Sequence, residues 1–148
     1  MNKQNVAKAK TFVMMNGALP LPDTINATKN FLKAIKYHNQ NGSPIIIYPE
    51  AKIWPYYTKI RNFSAVSFRY PVKYNKPVFT FTTIYKKKKF FKHPKIEIYV
   101  DGPFYVNKNL PEKISQAALK EVVYNQLKER TALSDYEFLK YEKRSNND

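Results

Sequence analysis

The sequence has no cysteine, three glycines, two histidines and one tryptophan, and four of its 26 basic residues are arginine. Without cysteine there is no disulfide, no thiol nucleophile and no Cys-ligated metal, and a reducing compartment is compatible with the chain. No apolar run approaches the ~20 residues that span a bilayer, and no signal-peptide pattern opens the chain. Any membrane contact is therefore expected to be peripheral. Acidic residues are also scarce, 11 in all, which leaves a formal charge of +15. That field draws anions such as phospholipid headgroups, phosphorylated metabolites or nucleic acid. Part of it reflects codon bias, since the chain is crowded with Lys, Asn, Ile, Tyr and Phe, all of which have AT-rich codons.

What is present is enough to fold. Hydrophobic residues make up 43% of the 148, with 12 Tyr and 10 Phe, a composition far from that of a disordered tail. The length suits one domain, which at this size buries roughly 70% of the surface its unfolded chain exposes.

Met1 to Asn16 reads as a lead-in without a clear helix start, and the proline-rich Gly17–Asp23 stretch reads as a loop. Asp23 or Thr24 caps a helix to about Asn41, with Ala27, Phe31, Ala34, Ile35 and His38 on one face. His38 is thereby expected to be packed rather than catalytic. Asn41-Gly42 ends that helix. Pro44-Ile-Ile-Ile-Tyr48 has the pattern of a strand buried on both faces, stopped by Pro49-Glu50. Ser64 to Asn75 predicts a helix bearing Val66, Phe68 and Val72, kinked or broken at Pro71. Pro77–Ile84 and Lys95–Asp101 predict strands joined through Lys86–Lys89, the second placed nearer an edge. Pro111 opens a helix to about Arg130 with two apolar rows, Ile114, Ala118, Val122 and Leu119, Val123, Leu127. The charged remainder is expected to fray, 142–148 in particular. No internal repeat or domain boundary is apparent.

Over roughly Asn16 to Tyr141 this order resembles the glycerolipid acyltransferase family of the 1-acylglycerol-3-phosphate acyltransferase type. Ile45-Ile-Ile-Tyr-Pro-Glu50 is similar to the family's aromatic-Pro-Glu-Gly turn after a buried strand. Gly17-Ala-Leu-Pro-Leu-Pro stands where the family has Gly-x-x-Pro, Arg61-Asn-Phe63 resembles its basic-Phe segment, and Asn75-Lys-Pro-Val78 resembles its last Pro-initiated block. Ala51-Lys52 replaces the usual Gly-Thr, in the style of a bacterial subgroup, and Asp23 stands near where an arginine often binds phosphate. The family's His-x4-Asp dyad is missing from this sequence, because Ser43 and Ile98 stand five residues after His38 and His93.

The resemblance implies an α/β fold with a mixed or mostly parallel sheet flanked by helices, truncated at the N-terminal side of the family fold. It implies acyl transfer from acyl-CoA or acyl-carrier protein to a lysophospholipid such as 1-acylglycerol-3-phosphate, without metal or other cofactor. The chain alone is expected to be inactive, cytoplasmic and peripheral to the inner face of the membrane. Glu50 is expected to hold the acceptor or order its pocket, and Lys59 and Arg61 to contact the phosphate. Trp54, Tyr56 and Tyr57 are candidates for a lipid-facing surface, with ordinary loop packing as the alternative. Lys86–Lys89 with Phe90, Phe91 and Lys92 suits an anionic membrane surface, or a solvated hairpin tip, and nucleic acid is the disfavoured partner. Two other readings are a non-enzymatic basic module for anionic lipid or nucleic acid, and a pseudo-acyltransferase that binds lipid without turnover.

Overall fold

The computed structural model describes residues 17–19 and 22–142, so the Met1–Asn16 lead-in lies outside the described residues. The chain divides into one unit ending at Ile46 and a second from Ile47. The described architecture is mixed α and β, with three α-helices, a short 3-10 helix and a two-stranded antiparallel sheet.

In the first unit, helix α1 spans Ile25–Gln40. Thr24 caps it, its Oγ1 accepting the Ala27 N–H at 3.1 Å. At the other end Ser43 N–H donates to the His38 carbonyl and Gly42 N–H to that of Asn39, the paired closure in which the residue after the cap turns left-handed. Gly42, at φ +68°, meets that requirement. Ile35 is buried, and Ala27, Phe31, Ala34 and His38 are half-buried, so the expected face is the covered one.

The second unit holds the sheet. Strand β1 is Val78–Lys86 and strand β2 is Lys95–Phe104, with Phe81 opposite Val100, Thr83 opposite Ile98 and Tyr85 opposite Ile96. The register shifts by one residue near the start of β1. There the two backbones come so close that a Cβ on Gly102 would lie 2.8 Å from the Val78 carbonyl oxygen. Helix α3, Glu112–Thr131, packs on the sheet. Before β1, Ala65–Phe68 forms the 3-10 turn and Arg69–Tyr74 forms helix α2. The break expected in this region thus falls at Phe68/Arg69, and Pro71 sits in the first turn of α2, where its missing N–H costs nothing. Val66, expected on the apolar face, is 61% exposed. The core consists of Phe63, Phe68, Leu119 and Val123, with Ile60, Val72, Phe104, Tyr124 and Leu127 packed around it.

Two expectations need correction. Residues 43–48 form no strand. Ile46, Ile47 and Tyr48 are 77%, 41% and 79% exposed, because a both-faces-buried strand exists only where neighbouring strands and covering layers meet it, and none does so among the described residues. The sheet among those residues therefore contains no parallel pair. The tail, expected to fray beyond Arg130, is packed at least as far as Tyr141, while 143–148 lie outside the described residues.

The two faces of the sheet differ in what covers them. Thr80, Thr82 and Ile84 are buried, and the Thr80 and Thr82 hydroxyls find no hydrogen-bond partner among the described residues. On the same face of β2, by register, are Tyr99 and Asp101. The opposite face carries Phe79, Phe81, Ile96, Ile98 and Val100, each at least half exposed. Similarly, the Leu119, Val123, Leu127 row of α3 faces the core, whereas Ile114 and Val122 of the other row remain 54% and 51% exposed.

Asp101 fastens α3 to β2. Its Oδ1 and Oδ2 accept from Arg130 Nε at 3.1 and 3.0 Å, and Oδ1 also accepts from Nη2, while the guanidinium lies 4.7 Å from the Tyr99 ring centroid. Arg130 holds the Asp101 carboxyl below the usual carboxylate range. A depressed folded-state pKa means that the contribution is present above the ordinary carboxylate pKa of about 4 and is lost as the pH falls through the folded value. Asp101→Asn is therefore expected to flatten the fall in stability below pH 4, read as urea midpoints across pH 2–5.

Candidate functional site

The expected Pro-Glu turn is formed. Ala51 N–H donates to the Tyr48 carbonyl at 3.2 Å, with Pro49 at the second position, where its fixed φ suits a β-turn. Ala51 itself has φ +56°, a conformation that costs an L-residue with a Cβ roughly 1–2 kcal/mol. A glycine is the natural occupant of such a position. Ala51→Gly is expected to stabilise the fold by about 0.5–1 kcal/mol, part of the relieved strain being offset by the freer unfolded chain. A thermal melt checks this, and a lower midpoint would contradict it.

Glu50 turns inward along its own loop. Its Oε2 accepts from the Arg61 backbone N–H and from Arg61 Nε, each at 3.0 Å, and the two side chains are 25% and 20% exposed. Arg61 Nη2 donates to the Lys52 carbonyl, and the guanidinium lies 4.6 Å from the Trp54 ring centroid. One carboxylate thus closes the loop from 50 to 61 by binding backbone and side chain of the same residue, an arrangement stronger than an exposed ion pair.

Trp54 and Tyr57 complete the cluster. Tyr57 N–H donates to the Trp54 carbonyl at 3.3 Å, and Tyr56, between them, has φ +57°. Its ring contacts Phe138 at 4.7 Å and Tyr85 at 5.5 Å, which holds the strained backbone in place. Tyr141 stacks on Trp54 at 4.9 Å and donates its hydroxyl to the Pro55 carbonyl at 2.6 Å.

Of the three residues expected to bind the acceptor, the structure joins Glu50 and Arg61 to each other. Lys59 is exposed and makes no ion pair among the described residues. Arg61 Nη1 makes no hydrogen bond among the described residues. A shallow space of about 380 Å3 lies elsewhere, beside Phe104, Leu110, Ala118 and Val122. Residues 44–48, expected to form a strand leading into the turn, are unpaired among the described residues. No group of three or more His, Asp or Glu converges among the described residues, and no helix there is long and apolar enough to cross a membrane.

Sequence reasoning missed Tyr141, Phe138, Tyr136 and Asp135, which fasten the tail to this cluster and to the hairpin. The available signal was the recurrence of aromatics at 136, 138 and 141 within a charged stretch. No family model, curated protein or solved structure gives a significant match to the chain.

Proposed function

We propose that this chain is the acceptor-binding portion of a glycerolipid acyltransferase, truncated at its N-terminal side. It would serve transfer of a fatty acyl group from acyl-CoA or acyl-carrier protein to a lysophospholipid such as 1-acylglycerol-3-phosphate, peripheral to the membrane. The observation that carries this reading is the Tyr-Pro-Glu turn whose carboxylate grips Arg61. The turn orients an arginine whose Nη1 has no hydrogen-bond partner among the described residues, two positions from the exposed Lys59, and an arginine with a lysine suits a phosphate. The left-handed Ala51 at the family's glycine position supports it further.

Two exposures fit a truncated sheet. Ile46, Ile47 and Tyr48 form an extended apolar stretch without a ladder, and the outer face of β1–β2 is more apolar than the face that α3 covers. In the mixed or mostly parallel sheet of the intact family fold, further strands and helices would cover such surfaces. By itself the chain transfers no acyl group on this reading, because neither histidine is placed in a His-x4-Asp dyad to deprotonate the acceptor hydroxyl.

Trp54 is the single tryptophan and sits against Arg61, so its emission reports directly on the site. Monomeric 1-acylglycerol-3-phosphate is expected to change that emission saturably, lysophosphatidylcholine is not, and Glu50→Gln is expected to abolish the response while circular dichroism stays unchanged. Equal responses to both lipids, or a response indifferent to Glu50→Gln, would contradict the proposal.

A further inference from the structure

The hairpin between β1 and β2 is fixed at its base and free at its tip. On the β1 side, Tyr85 N–H donates to Ser134 Oγ at 3.2 Å and Asp135 N–H returns a bond to the Tyr85 carbonyl at 3.1 Å. Asp135 Oδ1 accepts from Lys87 N–H at 2.8 Å, and its Oδ2 pairs with Lys86 Nζ at 3.4 Å. On the β2 side, Tyr136 donates its hydroxyl to the Lys92 carbonyl at 2.9 Å, and Phe138 packs on His93 at 5.0 Å. Between these clamps Lys88, Lys89, Phe90 and Phe91 project. Phe90 and Phe91 are 82% and 71% exposed.

Lys86 is the lysine of this group whose charge is compensated. Lys87, Lys88, Lys89 and Lys92 have no carboxylate partner among the described residues, so the tip presents four unpaired cations around two adjacent apolar rings. Lys88 lies 5.7 Å from the Phe91 centroid and Lys89 lies 5.4 Å from that of Phe90. An ammonium over one face of each ring competes with a nucleobase for that face. Rings that enter edge-first beneath a layer of phosphates, with lysine stems reaching up to those phosphates, satisfy both groups at once.

We infer that residues 87–92 form a membrane anchor, inserting Phe90 and Phe91 among the headgroups of an anionic bilayer while Lys87, Lys88, Lys89 and Lys92 bind lipid phosphates. The pinned base matters because it fixes where the tip projects, so less freedom is lost on docking than from an untethered loop. The two components are also mutually dependent, since a few cations or two rings alone give weak, reversible attachment and together they hold. This inference does not rest on the acyltransferase reading. A non-enzymatic chain with this hairpin would dock in the same way.

The test is flotation of the full chain with vesicles of phosphatidylcholine containing one third phosphatidylglycerol, compared with phosphatidylcholine alone. Because a chain of charge +15 is drawn to any anionic surface, the decisive variants hold the overall charge comparable. Phe90→Ser with Phe91→Ser, which removes no charge, is expected to weaken binding to the anionic vesicles at least tenfold. Lys88→Gln with Lys89→Gln is expected to do so about tenfold or more, and Lys29→Gln with Lys33→Gln on α1 less than threefold. Equal losses from the two lysine pairs, or binding unchanged by the phenylalanine pair, would overturn the inference. So would tighter binding to a single-stranded oligonucleotide that depends on Phe90 and Phe91. Unchanged circular dichroism separates these results from misfolding, and the Trp54 titration with 1-acylglycerol-3-phosphate is read independently of them.

Discussion

Replacing Phe81 and Ile98 together by threonine is expected to convert a self-associating chain into a monodisperse one at nearly unchanged stability. The two residues stand on the outer face of the hairpin, 70% and 63% exposed, with Phe79, Ile96 and Val100 beside them. Together the five side chains leave on the order of 400 Å2 of apolar surface in water, within the ~300–600 Å2 of the largest patch on a monomeric protein, a size that often marks an association site. Removing apolar groups that gain nothing from folding changes the unfolding free energy by no more than about 0.5 kcal/mol, and threonine preserves the strand preference. Sedimentation velocity and urea unfolding read the two halves of the expectation. A loss of 2 kcal/mol or more would show that the face is covered within the chain itself, and unchanged association would place the sticky surface elsewhere.

Phe63→Ala is expected to have the opposite character, a large loss of stability at unchanged surface. Phe63 is 7% exposed, stacks on Phe68 at 6.1 Å and meets Tyr124 edge-on at 5.5 Å. Truncating a buried phenylalanine costs about 3–5 kcal/mol through lost transfer energy and the cavity left behind, a large share of the ~5–15 kcal/mol that holds a domain together. The residue also sits two positions after Arg61, so its anchoring in the core is what gives the Glu50–Arg61 clamp a fixed end. In Phe63→Ala the Trp54 emission is expected to shift toward the solvent-exposed value at urea concentrations where the parent chain keeps it. A loss below 1 kcal/mol would contradict the placement of Phe63 in the core.

Local chemistry in this chain was readable where one segment decides its own conformation. Thr24 and Asn41-Gly42 bound α1 because capping is settled within a few residues of the helix end, and the same holds for the Tyr48–Ala51 turn and for Pro111 before α3. The strand at 44–48 was misread for the reciprocal reason. A run of isoleucines states a preference, but pairing needs a partner strand, and a sequence window cannot supply one. Period-2 alternation likewise located β2 without saying which side is inward, and the apolar side proved to be the open one. In α3 both apolar rows were visible, yet only the Leu119, Val123, Leu127 row found a core, since the faces were chosen by what the rest of the fold offered. At the site, the motif around Glu50 and Arg61 was legible, but their mutual grip was not, because it depends on an 11-residue loop returning on itself.

The upstream DNA bears most directly on the claim that this is one part of a larger acyltransferase sheet. Translated in all three frames, the sequence before the Met1 codon is predicted to encode a His-x4-Asp segment within one domain's length. Its absence from every frame would contradict the claim.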